Sequence, residues 1–342
     1  MKYTFHTKKE QLVKDPVFIS GINRSGKTIF SNIVASFENM EYEFEPWLFI
    51  NVPVLEGEKL IETETAITLL QGQADEILIN HILGRNINLR ESDMSKKSNF
   101  LEMEEIKERW INMKDREDVR SYVKTNNKRL LLHTVNLNPY LDLTFKSFPD
   151  VKIIHLLRNP FDIALSNERK EPVSDDFLEN DEMTEMRKIT EIEGQKIYLP
   201  WWVKEKDIEK FRNYSNYERC LMFCRFMMKE FLEFKKTNPQ FFNKEKYLEV
   251  KYETFLQNPQ LVVEGLKSFL KEEPTKHMED AIKTIRSDNI YRNKNYKFEE
   301  IKKEDLEETL TLMKEVGYDV ESFLKFAKGE QDTWAKSHAT KI

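Results

Sequence analysis

The densest group of candidate anion ligands lies at residues 21–28, with the sequence GINRSGKT. Glycines at the first and sixth positions, followed by lysine and threonine, satisfy the pattern G-x-x-x-x-G-K-[ST]. The apolar segment before this loop predicts a strand and the segment after it predicts a helix, so backbone N–H groups would point at one anion. Arg24 and Lys27 add positive charge, while Ser25 and Thr28 add hydroxyl donors. The sequence therefore predicts a site for a phosphate-like group.

A second basic loop follows the apolar run VKIIHLL at residues 151–157. Arg158 comes directly after this predicted strand, Asn159 is placed to cap the next helix, and Pro160 suits its first position. Ser166 lies eight residues after the arginine, on that helix. Arginine offers a planar fork of N–H donors to a phosphate, and serine offers a hydroxyl. This loop is a second candidate anion site.

The phosphate loop alone leaves several classes of protein open. An ATP- and Mg²⁺-dependent kinase or NTPase would also need a metal-binding carboxylate, usually at the end of a neighbouring strand. The runs RLLLHTVNL and VKIIHLLRNP end in His, Thr, Asn and Arg, without an aspartate. This absence weakens the kinase interpretation, which stays as the alternative, together with a non-catalytic nucleotide-binding module.

The apolar patterns of the sequence predict alternating strands and helices, which would position these loops. Short apolar runs predict strands at Val17–Ser20, Leu130–Thr134, Val151–Leu157, Tyr247–Lys251 and Leu48–Val52. Helical patterns cover Thr28–Phe37, Pro160–Lys170, Glu218–Lys235, Pro259–Leu270 and Lys303–Val316. This alternation favours an α/β fold with a mainly parallel sheet.

Composition excludes several other classes. The 342 residues carry 54 Lys and Arg against 60 Asp and Glu, a net charge of −6, so binding of nucleic acid through bulk positive charge is not expected. Two cysteines argue against a disulfide scaffold and, with six scattered histidines, against a structural zinc site. No apolar run approaches the roughly 18 residues that span a bilayer. We expect a cytoplasmic protein without a membrane span.

The two loops together resemble the PAPS-dependent sulfotransferases, which use 3′-phosphoadenosine 5′-phosphosulfate (PAPS) as sulfuryl donor. NRSGKT at 23–28 matches the first family motif and RNPFDIALS at 158–166 matches the second. LEVKYETFL at 248–256, with Asn-Pro at 258–259, and Gly-Tyr-Asp at 317–319 extend the resemblance over about residues 16–320. It implies a single domain, 1–342, with a three-layer P-loop-type fold. It also implies metal-independent in-line transfer to a hydroxyl or amine, with 3′-phosphoadenosine 5′-phosphate (PAP) as product.

The resemblance also implies roles for individual residues. Arg24 and Lys27 would stabilise the leaving phosphate, and Arg158 with Ser166 would hold the 3′-phosphate. Tyr252 would contact adenine. The full set of implied nucleotide ligands is Asn23, Arg24, Ser25, Gly26, Lys27, Thr28, Arg158, Ser166, Tyr252, and Arg292 and Lys294 from a basic stretch near the C-terminus. Asn23 and Lys27 depart from the family, which usually has proline and a small residue there.

His133 is the candidate general base. It ends a predicted strand, at the carboxyl edge where α/β proteins bind their ligands, and an ordinary pKa near 6.5 suits proton transfer. A structural histidine is the competing interpretation. The family's usual lysine before this position is missing here, so a carboxylate such as Glu171 is a second candidate.

The acceptor side is predicted near residues 171–217. Nine acidic residues against two basic ones at 171–193, with little strand signal, predict a surface insertion that serves as a lid or acceptor region. Glu171, Trp201 and Trp202 are the candidate acceptor contacts, although the two indoles could instead anchor the insertion to the core. The acidic excess would repel a polyanion. A neutral or cationic small molecule or glycan is favoured, and the oligomeric state stays open.

Overall fold

The computed structural model describes residues 10–135, 137–170, 172–179, 186–285 and 295–330. Its centre is a parallel sheet of five strands, in the order β2-β3-β1-β4-β7. These strands are β1 (Val17–Ser20), β2 (Met40–Phe44), β3 (Arg129–His133), β4 (Lys152–Leu157) and β7 (Tyr247–Lys251). A separate antiparallel pair consists of β5 (Arg187–Ile192) and β6 (Gln195–Pro200). The predicted α/β fold with a central parallel sheet is confirmed.

Helices follow most of the strands. In chain order they are α1 (Lys27–Ala35), α2 (Trp47–Gly57), α3 (Thr63–Ile82), α4 (Met103–Asn112), α5 (Arg116–Thr125), α6 (Leu141–Ser147), α7 (Pro160–Glu168), α8 (Asp175–Glu179), α9 (Ile208–Arg212), α10 (Asn216–Thr237), α11 (Tyr252–Gln257), α12 (Pro259–Leu270), α13 (Met278–Lys283), α14 (Lys303–Glu315) and α15 (Val320–Ala327). None of the helices in the described residues is both long and apolar enough to cross a membrane.

The sheet is buried on both faces, which makes the fold three-layered. Successive side chains of a strand point to opposite faces. Val17 and Ile19 of β1 accordingly join one apolar cluster, with residues of α1, α7, α10 and α12. Phe18 joins the other cluster, with residues of α2, α3, α5 and α6. Burial on both faces explains why the central strands read as continuous apolar runs in the sequence.

Parallel strands place their carboxyl ends at one edge of the sheet, where α/β proteins bind ligands. Here that edge carries the phosphate loop after β1 and Arg158 after β4. Glu45 follows β2, His133 ends β3, and Tyr252 follows β7. The sheet thus brings together chemistry-bearing residues from five separate parts of the chain.

Four of the five predicted strands are confirmed, but the fifth prediction is wrong. Residues Leu48–Val52 lie within helix α2, and the fifth strand is β2, directly before it. The segment Leu48–Val52 is apolar without strict alternation, and such short runs do not by themselves distinguish a strand from a buried helix. Phe49 and Val52 bury their side chains from this helix.

The acidic insertion also contains more structure than its sequence indicated. Strands β5 and β6 pair in an antiparallel hairpin whose two-residue turn is Glu193-Gly194. Both turn residues have positive φ, 52° and 79°, as a type I′ turn requires. The expectation of little strand structure at 171–193 is wrong for its last part, because the Glu-Gly turn signal was outweighed by the acidic composition.

Candidate active site

The phosphate loop joins β1 to α1 and packs directly on Tyr252. Gly26 has φ 93°, a conformation that side chains rarely adopt, and a Cβ built there would lie 2.2 Å from Cε2 of Tyr252. Arg24 also has a positive φ, of 67°. The helix begins at Lys27, so the N–H groups of its first turn, which lack intrahelical partners, lie beside the loop. The loop has the local structure that anion binding requires.

The two basic loops meet each other. The Nε atom of Arg24 donates to Oγ of Ser166 over 3.1 Å, and Nη1 of Arg158 donates to the carbonyl oxygen of Arg24 over 2.8 Å. The guanidinium of Arg158 lies 4.6 Å from the centre of the Tyr252 ring. Asn159 caps α7 by accepting from the N–H of Phe161, as its position in the sequence predicts. Two motifs more than 130 residues apart therefore form one surface.

This surface encloses a cavity of about 410 Å³. Eight of the nucleotide ligands expected from the sequence line it, together with five other residues. The lining residues are Asn23, Arg24, Gly26, Lys27, Thr28, Ile29, Phe44, Glu45, Met94, His133, Arg158, Ser166 and Tyr252. Ser25 lies fully buried behind this lining. The volume of the cavity falls within the usual range of small-ligand sites.

Lys27 is buried at the cavity wall, with 4% of its surface exposed. Its Nζ atom donates to the carbonyl oxygens of Gly21 and Ile22, each over 2.8 Å. Burial, aided by the charge of Arg24 and opposed by that of Glu45, lowers the pKa of Lys27 to about 7. An anion placed beside this amine would restore its charge.

His133 lies at the end of β3, where the sequence predicts it, but it is almost inaccessible, at 1% exposure. Its Nδ1 atom is 3.1 Å from Oγ of Ser31, and its Nε2 atom is 3.6 Å from Oε1 of Glu45. Burial and the positive charge of Lys27 hold the pKa of His133 well below its ordinary value. The imidazole is therefore neutral and only weakly basic at neutral pH.

Glu45 is the site residue that the sequence analysis missed. It follows β2 with a positive φ of 46°, and its N–H donates to the carbonyl oxygen of His133 over 3.0 Å. One third of its side chain is exposed. Burial raises the pKa of Glu45, while the charges of Lys27 and Arg24 lower it. The alternating pattern of Met40, Tyr42 and Phe44 before it was the available signal for a strand ending here.

The two indole side chains expected at the acceptor site do not line this cavity. Trp201 and Trp202 are buried, at 7% and 6% exposure. Rings of Tyr140 and Phe226 pack on Trp201, and rings of Phe211, Phe223 and Phe226 pack on Trp202. This packing matches the anchoring interpretation of the two indoles. Arg292 and Lys294 lie outside the described residues, as does Glu171.

Two buried polar atoms near the cavity lack hydrogen-bond partners within the described residues, as is expected of an anion site. Nε of Arg158 and Oγ of Ser25 are buried and make no hydrogen bond to any described residue. Buried donors without a partner are uncommon, and a phosphate oxygen would satisfy them. Across the described ranges, no group of three or more His, Cys, Asp or Glu side chains has the arrangement of a metal site.

A protein-family model described as "Sulfotransferase domain" matches residues 14–341. The chain belongs to the sulfotransferase family. It is therefore an enzyme, a transferase whose chemistry is sulfuryl transfer, and its resemblance to this family in the sequence is confirmed. A comparison with curated protein sequences found no match.

Solved sulfotransferase structures are similar to this chain at low sequence identity. The sulfotransferase domain of the Synechococcus PCC 7002 olefin synthase is 13% identical, with 93% of this chain and 99% of that chain covered and a TM-score of 0.47. Sulfotransferase STF9 from Mycobacterium avium is 12% identical, with 89% and 76% covered and a TM-score of 0.46. Mouse sulfotransferase SULT7A1, solved with PAP, is 13% identical, with 82% and 67% covered and a TM-score of 0.36. The family assignment rests on the domain match, because these values are low.

Proposed function

We propose that this sulfotransferase uses PAPS as its donor and transfers the sulfuryl group to a hydroxyl or amine by metal-independent in-line displacement. The observation that carries the proposal is the junction of the two basic loops, with Arg24 bonded to Ser166 and Arg158 bonded to Arg24. One cavity thereby offers cationic groups at two places. A nucleotide with phosphates on both its 3′ and 5′ oxygens needs such a pair of sites.

The 5′-phosphosulfate would lie on the phosphate loop, against Thr28 and the N–H groups of the first turn of α1. The 3′-phosphate would lie at the other basic loop, where Arg158 and Ser166 line the cavity. Tyr252 lines it as well, with one face of its ring already covered by the guanidinium of Arg158. Contact with adenine would therefore use the remaining surface of this ring.

Lys27 is the residue that we assign to the leaving group. Negative charge develops on the 5′-phosphate as the sulfur–oxygen bond breaks, and a nearby cation stabilises it. The amine of Lys27 now donates to two loop carbonyl oxygens, and it would exchange these neutral partners for the charged phosphate. Arg24 supplies a second cation at the same loop.

Glu45 and His133 are both placed to accept the proton of the acceptor, and we favour Glu45. Its carboxylate is partly exposed and lies in the cavity, whereas the imidazole is almost fully buried. A raised pKa makes this carboxylate a stronger base than an ordinary glutamate, while the lowered pKa of His133 weakens the imidazole. His133, 3.6 Å away, would then position Glu45.

The structure removes one argument against the kinase alternative, although the family match does not favour it. Glu45 is a strand-end carboxylate that the sequence argument against a kinase had overlooked, so that argument was incomplete. The match of residues 14–341 to the sulfotransferase domain nevertheless favours sulfuryl transfer.

Thermal unfolding with PAP, and separately with ATP and Mg²⁺, tests the proposal. We expect PAP to raise the melting temperature, because both basic loops gain phosphate contacts. Stabilisation by ATP with Mg²⁺ alone would contradict the proposal. Formation of PAP from PAPS in the presence of an acceptor is the matching activity assay.

A further inference from the structure

A second cavity, of about 440 Å³, opens beside the donor cavity. The loop between α3 and α4 forms most of its wall, opposite the end of β2. Its lining residues are Thr28, Tyr42, Glu43, Phe44, Asn86, Asn88, Ser92, Asp93, Met94, Ser95 and Lys97. Thr28, Phe44 and Met94 also line the donor cavity, so the two spaces adjoin. Glu45, the next residue after Phe44, lines the donor cavity at this junction.

We propose that this second cavity is the acceptor site and that it selects an uncharged, hydroxyl-rich small molecule such as a glycoside. The proposal rests on the proposed function, since it assigns the acceptor of the same reaction. It places the acceptor beside the end of β2 and the loop between α3 and α4, and not at residues 171–217, where the sequence predicted it. A molecule held there would present a hydroxyl towards Glu45 and the phosphate loop.

The polar groups of the lining match hydroxyls. Asn86, Asn88, Ser92 and Ser95 provide neutral donors and acceptors, and Glu43 and Asp93 provide carboxylate acceptors. Asn88 already donates to Asp93 and Ser95, and Glu43 is paired with His81, so a ligand would use the remaining lone pairs and N–H groups of these residues. A ligand with many hydroxyl groups can use both kinds of partner.

The charges of the lining oppose an anionic acceptor. Lys97 is the only cationic side chain among the lining residues, and it is 4% exposed. Its Nζ atom donates to the carbonyl oxygen of Tyr42 over 2.6 Å and lies 3.3 Å from Nδ1 of His81. The amine of Lys97 is therefore already occupied by contacts within the protein. The carboxylates of Glu43 and Asp93 would repel a carboxylate or sulfate on the acceptor.

Two apolar side chains complete the lining where the cavities adjoin. Phe44 is 38% exposed and Met94 is 50% exposed, which is high for side chains of this kind. Small-molecule sites commonly combine such apolar surface with a few placed polar groups. The carbon-bound hydrogens of a sugar ring would cover Phe44 and Met94 while its hydroxyls meet the polar residues.

The wall is held in place by the phosphate-loop helix itself. Asn32 of α1 donates from Nδ2 to the carbonyl oxygen of Met94 over 2.9 Å, and Asn99 donates to the same oxygen over 2.7 Å. The N–H of Lys97 donates to the carbonyl oxygen of Asn88 over 2.8 Å. These bonds fix the position of the acceptor wall relative to the phosphate loop, as in-line transfer requires.

A panel of three acceptors, assayed with PAPS, tests this assignment. The panel contains a neutral methyl glucoside, the corresponding methyl glucuronoside as the anionic match, and 4-nitrophenol as an apolar compound. We expect kcat/KM for the glucoside to exceed both others by at least about tenfold, the effect of one lost or repelled polar contact.

Ser92, an exposed lining residue, offers a charge-adding variant. Ser92→Lys should raise kcat/KM for the glucuronoside relative to the glucoside by about tenfold, because it adds a cation to the wall. Ser92→Ala is the control without added charge, and Ile111→Ser controls for a change at a surface residue, 73% exposed, on α4.

Two results would overturn the inference: absence of transfer to the glucoside, or an unchanged ratio in Ser92→Lys. PAP binding separates this failure from that of the proposed function. If PAP stabilises the enzyme and only 4-nitrophenol or the glucuronoside is sulfated, the function stands and the acceptor assignment fails. If PAP does not stabilise the enzyme, both fail.

Discussion

The donor cavity and the β5–β6 hairpin both carry candidate binding residues. Those of the donor cavity face open space, whereas the tryptophans after the hairpin are buried. Around the donor cavity, Arg24 and Arg158 lie in the loops that follow β1 and β4, and both line the cavity. At the hairpin, Trp201 and Trp202 turn inward against other rings, while Glu191 and Glu193 lie exposed. Strand ends in this fold bring polar groups together, whereas the paired aromatic residues after the charged stretch anchor that stretch to the core.

The largest effect is expected at the proposed base. Glu45→Gln should lower kcat by about 100-fold or more, as loss of a general base does, with PAP affinity retained. The wild-type activity should rise with pH through a limb above the ordinary glutamate pKa near 4.3, because burial raises the pKa of Glu45. This limb should disappear in the variant.

His133→Asn is the matched test of the neighbouring residue. We expect a smaller loss of kcat with the acidic limb still present. A larger loss in His133→Asn than in Glu45→Gln would return the role of base to the histidine.

Gly26→Ala probes the contact of the phosphate loop with Tyr252. The new Cβ would lie 2.2 Å from the ring at a positive φ, so the loop must shift. We expect PAP affinity to fall on the order of 100-fold, measured by titration calorimetry.

Gly194→Ala is the matched control at the hairpin. Its φ is 79°, but no atom lies within 4 Å of the new Cβ. It should cost only about 1 kcal/mol of stability and leave PAP affinity unchanged. Equal losses of PAP affinity in the two variants would contradict the special role of the loop.

The lowered pKa of Lys27 predicts that PAP binding depends on pH. Free Lys27 loses its proton as pH rises through about 7, and bound phosphate raises this pKa again. Binding at pH 8 should therefore take up a proton, and affinity should fall by up to about tenfold per pH unit above 7.

Calorimetry in two buffers of different ionisation enthalpy measures the proton taken up. Lys27→Arg serves as the control, since its guanidinium stays charged throughout. The same uptake in this variant would assign the proton to another group.

The smallest effect on the site is expected from Trp202→Ala. Removing a buried indole should lower the free energy of unfolding by about 3–5 kcal/mol, without changing PAP affinity. Chemical denaturation and calorimetry measure the two quantities. A raised acceptor KM at unchanged stability would instead support the stacking role first expected for this residue.

The parts of the fold closest to the donor cavity could be predicted from sequence. Central strands are buried on both faces and give continuous apolar runs, and Gly26 and Pro160 mark loop and helix starts. Glu45 could not be located in this way, because β2 was not recognised and Leu48–Val52 took its place. Its approach to His133 depends on the pairing of β2 with β3, which connects residues about 90 positions apart.

The second cavity was also beyond the reach of local patterns. Asn86, Asn88 and Ser92 belong to an irregular loop, and neither their spacing nor their types mark a site. The loop is tied to its neighbours by bonds from Asn32 and Asn99 to the carbonyl oxygen of Met94. Such contacts between side chains and distant backbone leave no periodic signal in the sequence.

In the proposed function, the two basic loops hold two different phosphates of one nucleotide. Dissociation constants of PAP and of 5′-AMP, which lacks the 3′-phosphate, test it in the wild type and in Arg158→Ala. We predict that Arg158→Ala weakens PAP by about tenfold to 100-fold and 5′-AMP far less, because only PAP loses a charge-assisted contact to a 3′-phosphate. Loss of the bond from Arg158 to the carbonyl oxygen of Arg24 would affect both ligands alike. Arg90→Ala, at a side chain 77% exposed, is the control. Equal losses for PAP and 5′-AMP would contradict the claim.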